Sequence, residues 1–115
     1  MFTRSDASEQ QLDKLTDLFR LLSDRTRLNI VLLLADGERN VTNLCDELHL
    51  PQPTVSHHLG LLRAKSIITN RRSGKQVFYA LDNRVDVDPM NAVRIGIERF
   101  DVQIAPRANE PVAAG

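Results

Sequence analysis

Two adjacent histidines, His57 and His58, stand in the stretch QPTVSHHLGLLR, which runs from Gln52 to Arg63. An imidazole can ligate a metal, transfer a proton or form hydrogen bonds, so its neighbours decide its use. The stretch holds no carboxylate or cysteine, and neighbouring residues of a helix point about 100° apart, which suits a shared metal poorly. We therefore favour contact with a partner by His57, with a solvated or packing role as the alternative.

The composition of this stretch predicts a surface that contacts DNA. At helical spacing three of its apolar residues, Val55, Leu59 and Leu62, share one stripe, and small and polar residues occupy the opposite side. Small residues let a helix backbone approach a groove closely, and polar ones can hydrogen-bond base edges or phosphates. The predicted DNA contacts on this helix are Gln52, Pro53, Thr54, Ser56, His57, Gly60 and Arg63.

The distribution of charge also favours a nucleic-acid partner. The chain has 15 basic and 15 acidic residues, and this net charge of zero by itself argues against such a partner. From Gln52 to Leu81, however, there are five bases and no acid, so this part of the chain produces a positive local field. We predict that the bases beyond the helix, Arg71, Arg72 and Lys75, contact phosphates or the minor groove.

Helical periodicity and capping residues predict the elements that position these groups. A first amphipathic helix is predicted over Glu9–Leu22, and a second, RTRLNIVLLLA, begins after Ser23 or Asp24 and is closed by Gly37. The segment GERNV is predicted to be a turn. Thr42 is predicted to cap a short third helix, NLCDELH, and the break LPQP separates it from the helix that carries the histidines.

A β-hairpin is predicted after the fourth helix. The runs SIITN and QVFYAL are rich in β-branched and aromatic residues, and RRSGK joins them. Helices followed by a basic hairpin indicate a winged helix-turn-helix. The predicted fold class is mainly α with a small β-hairpin.

Apolar residues at both ends of this core predict a homodimer. A last helix is predicted from Asp88 and Pro89, with apolar residues spaced three and four apart up to Ile104. A small winged core has limited surface to cover the apolar faces of both terminal helices. The predicted dimer interface is Leu12, Leu15, Phe19, Met90, Val93, Ile97 and Phe100. The predicted domain spans residues 1–104, and residues 105–115 are predicted to be a disordered tail.

Several other classes of protein are disfavoured. No apolar run is long enough to span a membrane and the N-terminus is unlike a secretory signal, so a cytoplasmic location is expected. The sequence shows no nucleophile paired with a base, no phosphate-binding glycine loop and no paired carboxylates. Neither an enzyme nor a cofactor is therefore expected. The single cysteine, Cys45, is most simply a small core residue. A thiol-redox regulator acting through Cys45 and a winged helix that docks a protein instead of DNA remain the alternatives.

Three segments together resemble the ArsR/SmtB family of bacterial winged-helix repressors: LLSDRTRLNIVLLL, DELHLPQPTVSHHLGLLRAKSII and RRSGKQVFYAL. The resemblance covers roughly Leu12 to Phe100. It implies a homodimer, paired through its first and last helices, that binds operator DNA and is released by an effector.

Many relatives in that family sense metals through a cysteine pair in the third helix or through carboxylates and histidines in the last. Here the pair falls on Asn40 and Thr42, and only Cys45 matches a further cysteine of some arsenic sensors. Asp86 and Asp88 stand where the last helix would start, but no histidine follows His58. We therefore predict no metal site of the familiar kind, and the effector stays open.

Overall fold

The computed structural model describes residues 8–89, 92–97 and 100–104. The predicted tail at 105–115 and the predicted interface residue Met90 lie outside this part of the chain. The helices are α1 (Glu9–Leu22), α2 (Arg25–Ala35), α3 (Val41–Leu48) and α4 (Gln52–Ala64). The prediction of the first four helices is confirmed.

Side-chain caps set the start of three of these helices. Ser8 and Gln11 form a reciprocal capping box at α1, and Asp24 accepts a hydrogen bond from the backbone N–H of Arg27 at the start of α2. The prediction that Thr42 caps α3 is wrong. Asn40 caps it instead, because its side-chain oxygen accepts from the backbone N–H of Asn43 at 2.7 Å.

The predicted hairpin is confirmed and belongs to a sheet of three antiparallel strands. Its strands are β2 (Ile68–Ser73) and β3 (Gln76–Leu81), and the short strand β1 (Arg39–Asn40) pairs with the other edge of β3. The predicted turn GERNV is therefore partly wrong, since its Arg39 and Asn40 are paired. Ser73 pairs with Gln76, which leaves a two-residue loop whose first residue, Gly74, has a φ of +64° and so favours glycine.

The predicted last helix is wrong, because this segment forms a second antiparallel sheet. Its strands are β4 (Val85–Val87), β5 (Val93–Ile97) and β6 (Phe100–Ile104), in the order β4-β5-β6. The apolar residues of β5 and β6 also alternate with period two, and most are β-branched, a composition that fits a half-buried strand. Asp88 caps no helix; its side chain accepts from the backbone N–H of Ala92.

One hydrophobic core joins the helices to both sheets. Its residues with no measurable exposure include Ile30 and Val31 of α2, Leu44 of α3, Val55 and Leu62 of α4, and Val93 and Ile95 of β5. Val93 therefore packs inside its own chain, and we omit it from the interface proposed below. The core fixes the position of α4 relative to α1, α2 and α3.

Replacing Asp24 by alanine should destabilise the fold in a pH-dependent way. The Arg27 backbone N–H donates to the Asp24 carboxylate at 3.0 Å and lowers its pKa below the ordinary value of 3.8. Because the folded pKa is depressed, the carboxylate stabilises the fold above that ordinary value, and the contribution is lost as pH falls through the folded pKa. We expect a loss of about 1 kcal/mol at neutral pH.

Urea unfolding of wild type and Asp24→Ala at pH 7 and at pH 3 would measure this effect. The difference should shrink at the lower pH. Asp24→Asn is the matched control, because asparagine caps a helix without titrating. Equal stability of wild type and Asp24→Ala at pH 7 would contradict the assigned cap.

Candidate nucleic-acid interface

A tight turn joins α3 to α4 and sets the direction of the second helix. His49 ends α3 in the left-handed conformation, with a φ of 58°, and the backbone N–H of Leu50 donates to the Cys45 carbonyl. Pro51 then stands at the start of α4 in extended conformation. The helices α3 and α4 thus form a helix-turn-helix whose second helix begins at Gln52.

The two predicted sides of α4 are confirmed. Val55, Leu59 and Leu62 are buried in the core. The opposite side is open, and a Cβ at Gly60 would have no atom within 4 Å beyond its chain neighbours and the adjacent backbone of its own helix. Pro53, Ser56, His57 and Gly60, which were predicted for that side, are exposed. Of the other predicted contact residues on this helix, Gln52 and Arg63 are exposed and Thr54 is half-buried.

The two histidines have different environments. His57 is exposed, whereas the His58 side chain is only 14% exposed, with its Nδ1 3.9 Å from Asp24 Oδ2. The guanidinium of Arg27 lies 3.2 Å from the same His58 nitrogen and also donates to the Leu21 carbonyl at 2.7 Å. His58 therefore attaches α4 to α1 and α2, and His57 alone is available to a partner. No sequence pattern indicated the contact between Arg27 and His58, because the two residues are 31 positions apart.

The wing, residues 68–81, presents its three predicted bases differently. Arg71 and Arg72 are consecutive in β2, so their side chains leave opposite faces of the hairpin. Arg72 and Lys75 are exposed. Arg71 donates two hydrogen bonds to Glu38, at 2.7 and 2.8 Å, and lies over the Phe78 ring at 4.9 Å. Glu38, an acid in the turn between α2 and β1, thus pairs with the segment Gln52–Leu81, which itself contains no acid.

The contact between Arg71 and Glu38 changes the charge of the wing. The guanidinium of Arg71 lowers the pKa of Glu38 below its usual range, mainly through its hydrogen bonds to the carboxylate. Glu38 is therefore charged at neutral pH and neutralises Arg71. Glu38 was missed in the sequence because the residue lies 33 positions before its partner, and local charge patterns do not report such pairs.

We expect Glu38→Gln to raise affinity for duplex DNA of any sequence by about two- to fivefold, the range of an exposed ion pair. The released Arg71 should also steepen the dependence on salt, by up to about 0.9 units of log–log slope for one added phosphate contact. Fluorescence anisotropy at several salt concentrations would measure both. The matched control is Glu47→Gln, which removes the same charge from a pair with Arg39 at 2.9 Å. Equal gains in both variants would show that Glu38 does not act through Arg71.

Asn40, Thr42 and Cys45, which stand where the family resemblance implies metal-binding cysteines, have other roles or contacts here. Asn40 caps α3 and also donates to the Gln76 side chain at 2.8 Å. Thr42 is exposed, and Cys45 is a half-buried free thiol packed against the core. Among the residues that the structure describes, no three histidine, cysteine or acidic side chains cluster as a metal site would require.

The predicted interface on α1 is partly exposed. Leu12 is 45% exposed and Phe19 52% exposed, and Leu15 between them is half-buried. Leu18, Leu21 and Leu22 occupy the other side of the helix and are buried in the core. Leu12, Leu15 and Phe19 are together called the α1 stripe below. Ile97 and Phe100 are half-buried in the second sheet.

Comparisons with known proteins agree with this geometry. The model of a family described as bacterial regulatory protein, arsR family, matches residues 24–69, from the cap of α2 into β2. The biofilm growth-associated repressor of Xylella fastidiosa is 36% identical over 91 residues, which cover 79% of this chain and 79% of that protein. The chain belongs to the arsR family. The predicted resemblance is confirmed.

Two further relatives extend the comparison for this arsR-family chain. The repressor SmtB of Mycobacterium tuberculosis is 46% identical over 70 residues, which cover 61% of this chain and 52% of SmtB. The chain thus spans about half the length of that relative. The solution structure of Mb0332 from Mycobacterium bovis, a homodimeric winged helix-turn-helix DNA-binding domain, is 30% identical, with a TM-score of 0.61 and coverage of 70% of this chain and 75% of that one.

The curated relatives named here are transcriptional regulators. The winged helix-turn-helix predicted from the sequence is confirmed by the observed elements and by the likeness to Mb0332. In the part of the chain that the structure describes, no helix is long and apolar enough to cross a lipid bilayer.

Proposed function

We propose that this arsR-family chain is a sequence-specific DNA-binding repressor that acts as a homodimer on an inverted-repeat operator. The observation that carries the proposal is the open polar side of α4 beside a basic wing. The helix presents hydrogen-bonding groups, among them Ser56 and His57, and Gly60 leaves its backbone accessible. This combination suits a helix that enters the major groove of duplex DNA.

The two surfaces have separate roles in the proposed complex. The polar groups of α4 reach base edges and supply specificity, while Arg72 and Lys75 contact phosphates or the minor groove and supply affinity for any sequence. Arg63, exposed in the last turn of α4, adds a third cation beside the groove. Arg71 contributes only when it releases Glu38.

The α1 stripe supplies the proposed dimer contact. Exposed leucine and phenylalanine side chains at helical spacing bury readily against the same face of a second copy. Ile97 and Phe100 of the second sheet are retained as predicted members of this interface, at its edge. Two copies of α4 related by a two-fold axis would contact half-sites about one helical turn apart, roughly 10 bp, or a multiple of it.

The remaining predictions follow from DNA as the partner. Because the proposed partner is operator DNA, the proposed location is the cytoplasm. The contacts on α4 and the wing suit binding rather than catalysis, so no enzymatic role or cofactor is proposed. A thiol-redox response through Cys45 remains an alternative for the signal. A protein partner in place of DNA remains the alternative for the interface.

The test is recovery of bound fragments from genomic DNA, followed by titration of the full-length chain on a recovered duplex and on a scrambled one. We expect an inverted repeat in the recovered fragments. Affinity for the recovered duplex should exceed that for the scrambled one by a factor of at least about 1,000. A protein that binds no duplex even at 50 mM salt would refute the proposal, and the protein-docking alternative would then take its place.

A further inference from the structure

A cavity of about 650 Å³ lies between α1, the end of α4 and the second sheet. Its apolar wall includes Leu18 of α1, Ile67 after α4 and Ile95 of β5, all buried in the core. This volume is within the range of roughly 300–1,000 Å³ that small organic ligands occupy in proteins. The residues proposed to contact DNA are not part of its lining.

The charged residues of the cavity are mostly basic. Lys14, Lys65 and Arg84 line it together with one acid, Asp17. Asp17 is already engaged, since its Oδ1 accepts from Arg20 at 3.0 Å and its Oδ2 lies 3.8 Å from the Lys65 ammonium. The lining thus carries three basic residues and one acid, so its charge favours an anion over a cation.

The size and lining together select one class of ligand. An inorganic anion would leave most of the volume and the apolar wall without a contact. A purely apolar molecule would supply no negative charge to the basic part of the lining. A small organic carboxylate with an apolar chain satisfies both parts of the lining, because the chain covers Leu18 and Ile95 while the carboxylate pairs with the cations.

The α1 stripe and this cavity lie on different sides of α1, and Ile97 belongs both to the cavity lining and to the edge of the proposed interface. Leu12 and Phe19 of the α1 stripe are seven residues apart and share one side of the helix. Asp17 and Leu18, which line the cavity, lie on the side that faces the core and the second sheet. A second copy packed on the stripe would therefore cover a different side of α1.

We propose that this cavity is an effector site for a small amphipathic carboxylate. Residues 64–67 of its wall directly follow the DNA-contacting turns of α4, and the ion pair between Lys65 and Asp17 ties the end of that helix to α1. A bound carboxylate competes with Asp17 for Lys65 and loosens this connection. The last turn of α4, which carries Arg63, then shifts relative to α1, while the buried residues of α4 stay in the core. This regulatory part rests on the proposed function, whereas ligand binding does not.

Octanoate is the probe for the binding part, and 1-octanol is its uncharged counterpart. Titration of the full-length chain, followed by backbone amide NMR shifts, should show octanoate perturbing the residues that line the cavity. Lys65→Gln and Arg84→Gln should each weaken octanoate binding by at least about threefold, the upper range of a partly exposed ion pair. Lys75→Gln removes the same charge from the wing and should leave binding unchanged. 1-Octanol should bind more weakly than octanoate.

Shifts confined to other surfaces, equal binding of 1-octanol, or unchanged affinity in both cavity variants would overturn the site.

In a second arm, saturating octanoate should lower the affinity of the wild type for the recovered operator, and Lys65→Gln should respond less. If saturating octanoate left the operator affinity of the wild type unchanged, the effector role would be overturned. Failure of the ligand-free protein to bind any duplex would instead refute the proposed function, and the NMR titration would still decide the site.

Discussion

Phe19→Asp should convert the proposed dimer into a monomer of 13.0 kDa at micromolar concentration. Phe19 is 52% exposed on the α1 stripe, and in the proposed dimer its ring is buried against the second copy. An aspartate there must lose its hydration in an apolar contact, which is strongly unfavourable. We expect the dimer dissociation constant to rise by at least about thirtyfold, which corresponds to roughly 2 kcal/mol at a central interface residue.

Light scattering and analytical ultracentrifugation would measure the mass of the variant. The matched control is Leu32→Asp, since Leu32 is an apolar residue of α2 that is 42% exposed and lies outside the proposed interface. Its variant should remain dimeric. Circular dichroism would show that both variants are folded. A wild-type protein that is monomeric at the same concentration would refute the dimer itself.

Ser56→Ala and His57→Ala should each lower affinity for the operator by about 1–3 kcal/mol, the value of a good base contact, and lower affinity for scrambled DNA far less. Both residues are exposed on the open side of α4. His58→Ala should instead reduce stability, because that imidazole is half-buried against Arg27. Anisotropy titrations on the two duplexes, with a urea unfolding curve for each variant, separate the two effects.

Substitutions in the wing serve as the comparison for those in α4. Arg72→Gln and Lys75→Gln should weaken binding to both duplexes and flatten the salt dependence by about 0.9 units of log–log slope for each phosphate that the variant no longer neutralises. Arg71→Gln should change the slope less, since Arg71 must first release Glu38. If variants of α4 and of the wing had the same effect on both duplexes, the division between specificity and affinity would be wrong.

The sequence by itself was sufficient to predict those elements whose residue pattern fits only one kind of secondary structure. The stripe of Val55, Leu59 and Leu62 has helical spacing and no β-like alternation, so it predicted both the helix and its open side. The hairpin was equally clear, because β-branched runs flank a glycine turn. Local periodicity and turn chemistry are sufficient to predict such elements.

The segment from Val93 to Ile104 shows where this reasoning fails. Val93, Ile97, Phe100 and Ile104 are spaced three and four apart, as in a helix. Ile95 and Val102 complete an alternation with period two that the same segment also satisfies. The observed pairing of β5 with both β4 and β6 supplies backbone hydrogen bonds and buries Val93 and Ile95. Tertiary contacts therefore decided between two patterns that the sequence left equal.

The charged contacts were decided by the tertiary structure alone. Glu38 reaches Arg71, Arg27 reaches His58, and Asp17 lies beside Lys65, in each case from an element distant in the chain. The sequence determined that Gln52–Leu81 contains five bases and no acid, and from this a positive surface was expected. Which of those bases remain available depends on acids that folding brings to them. The physical reason is that charges interact through space at a few ångströms, and separation along the chain does not determine that distance.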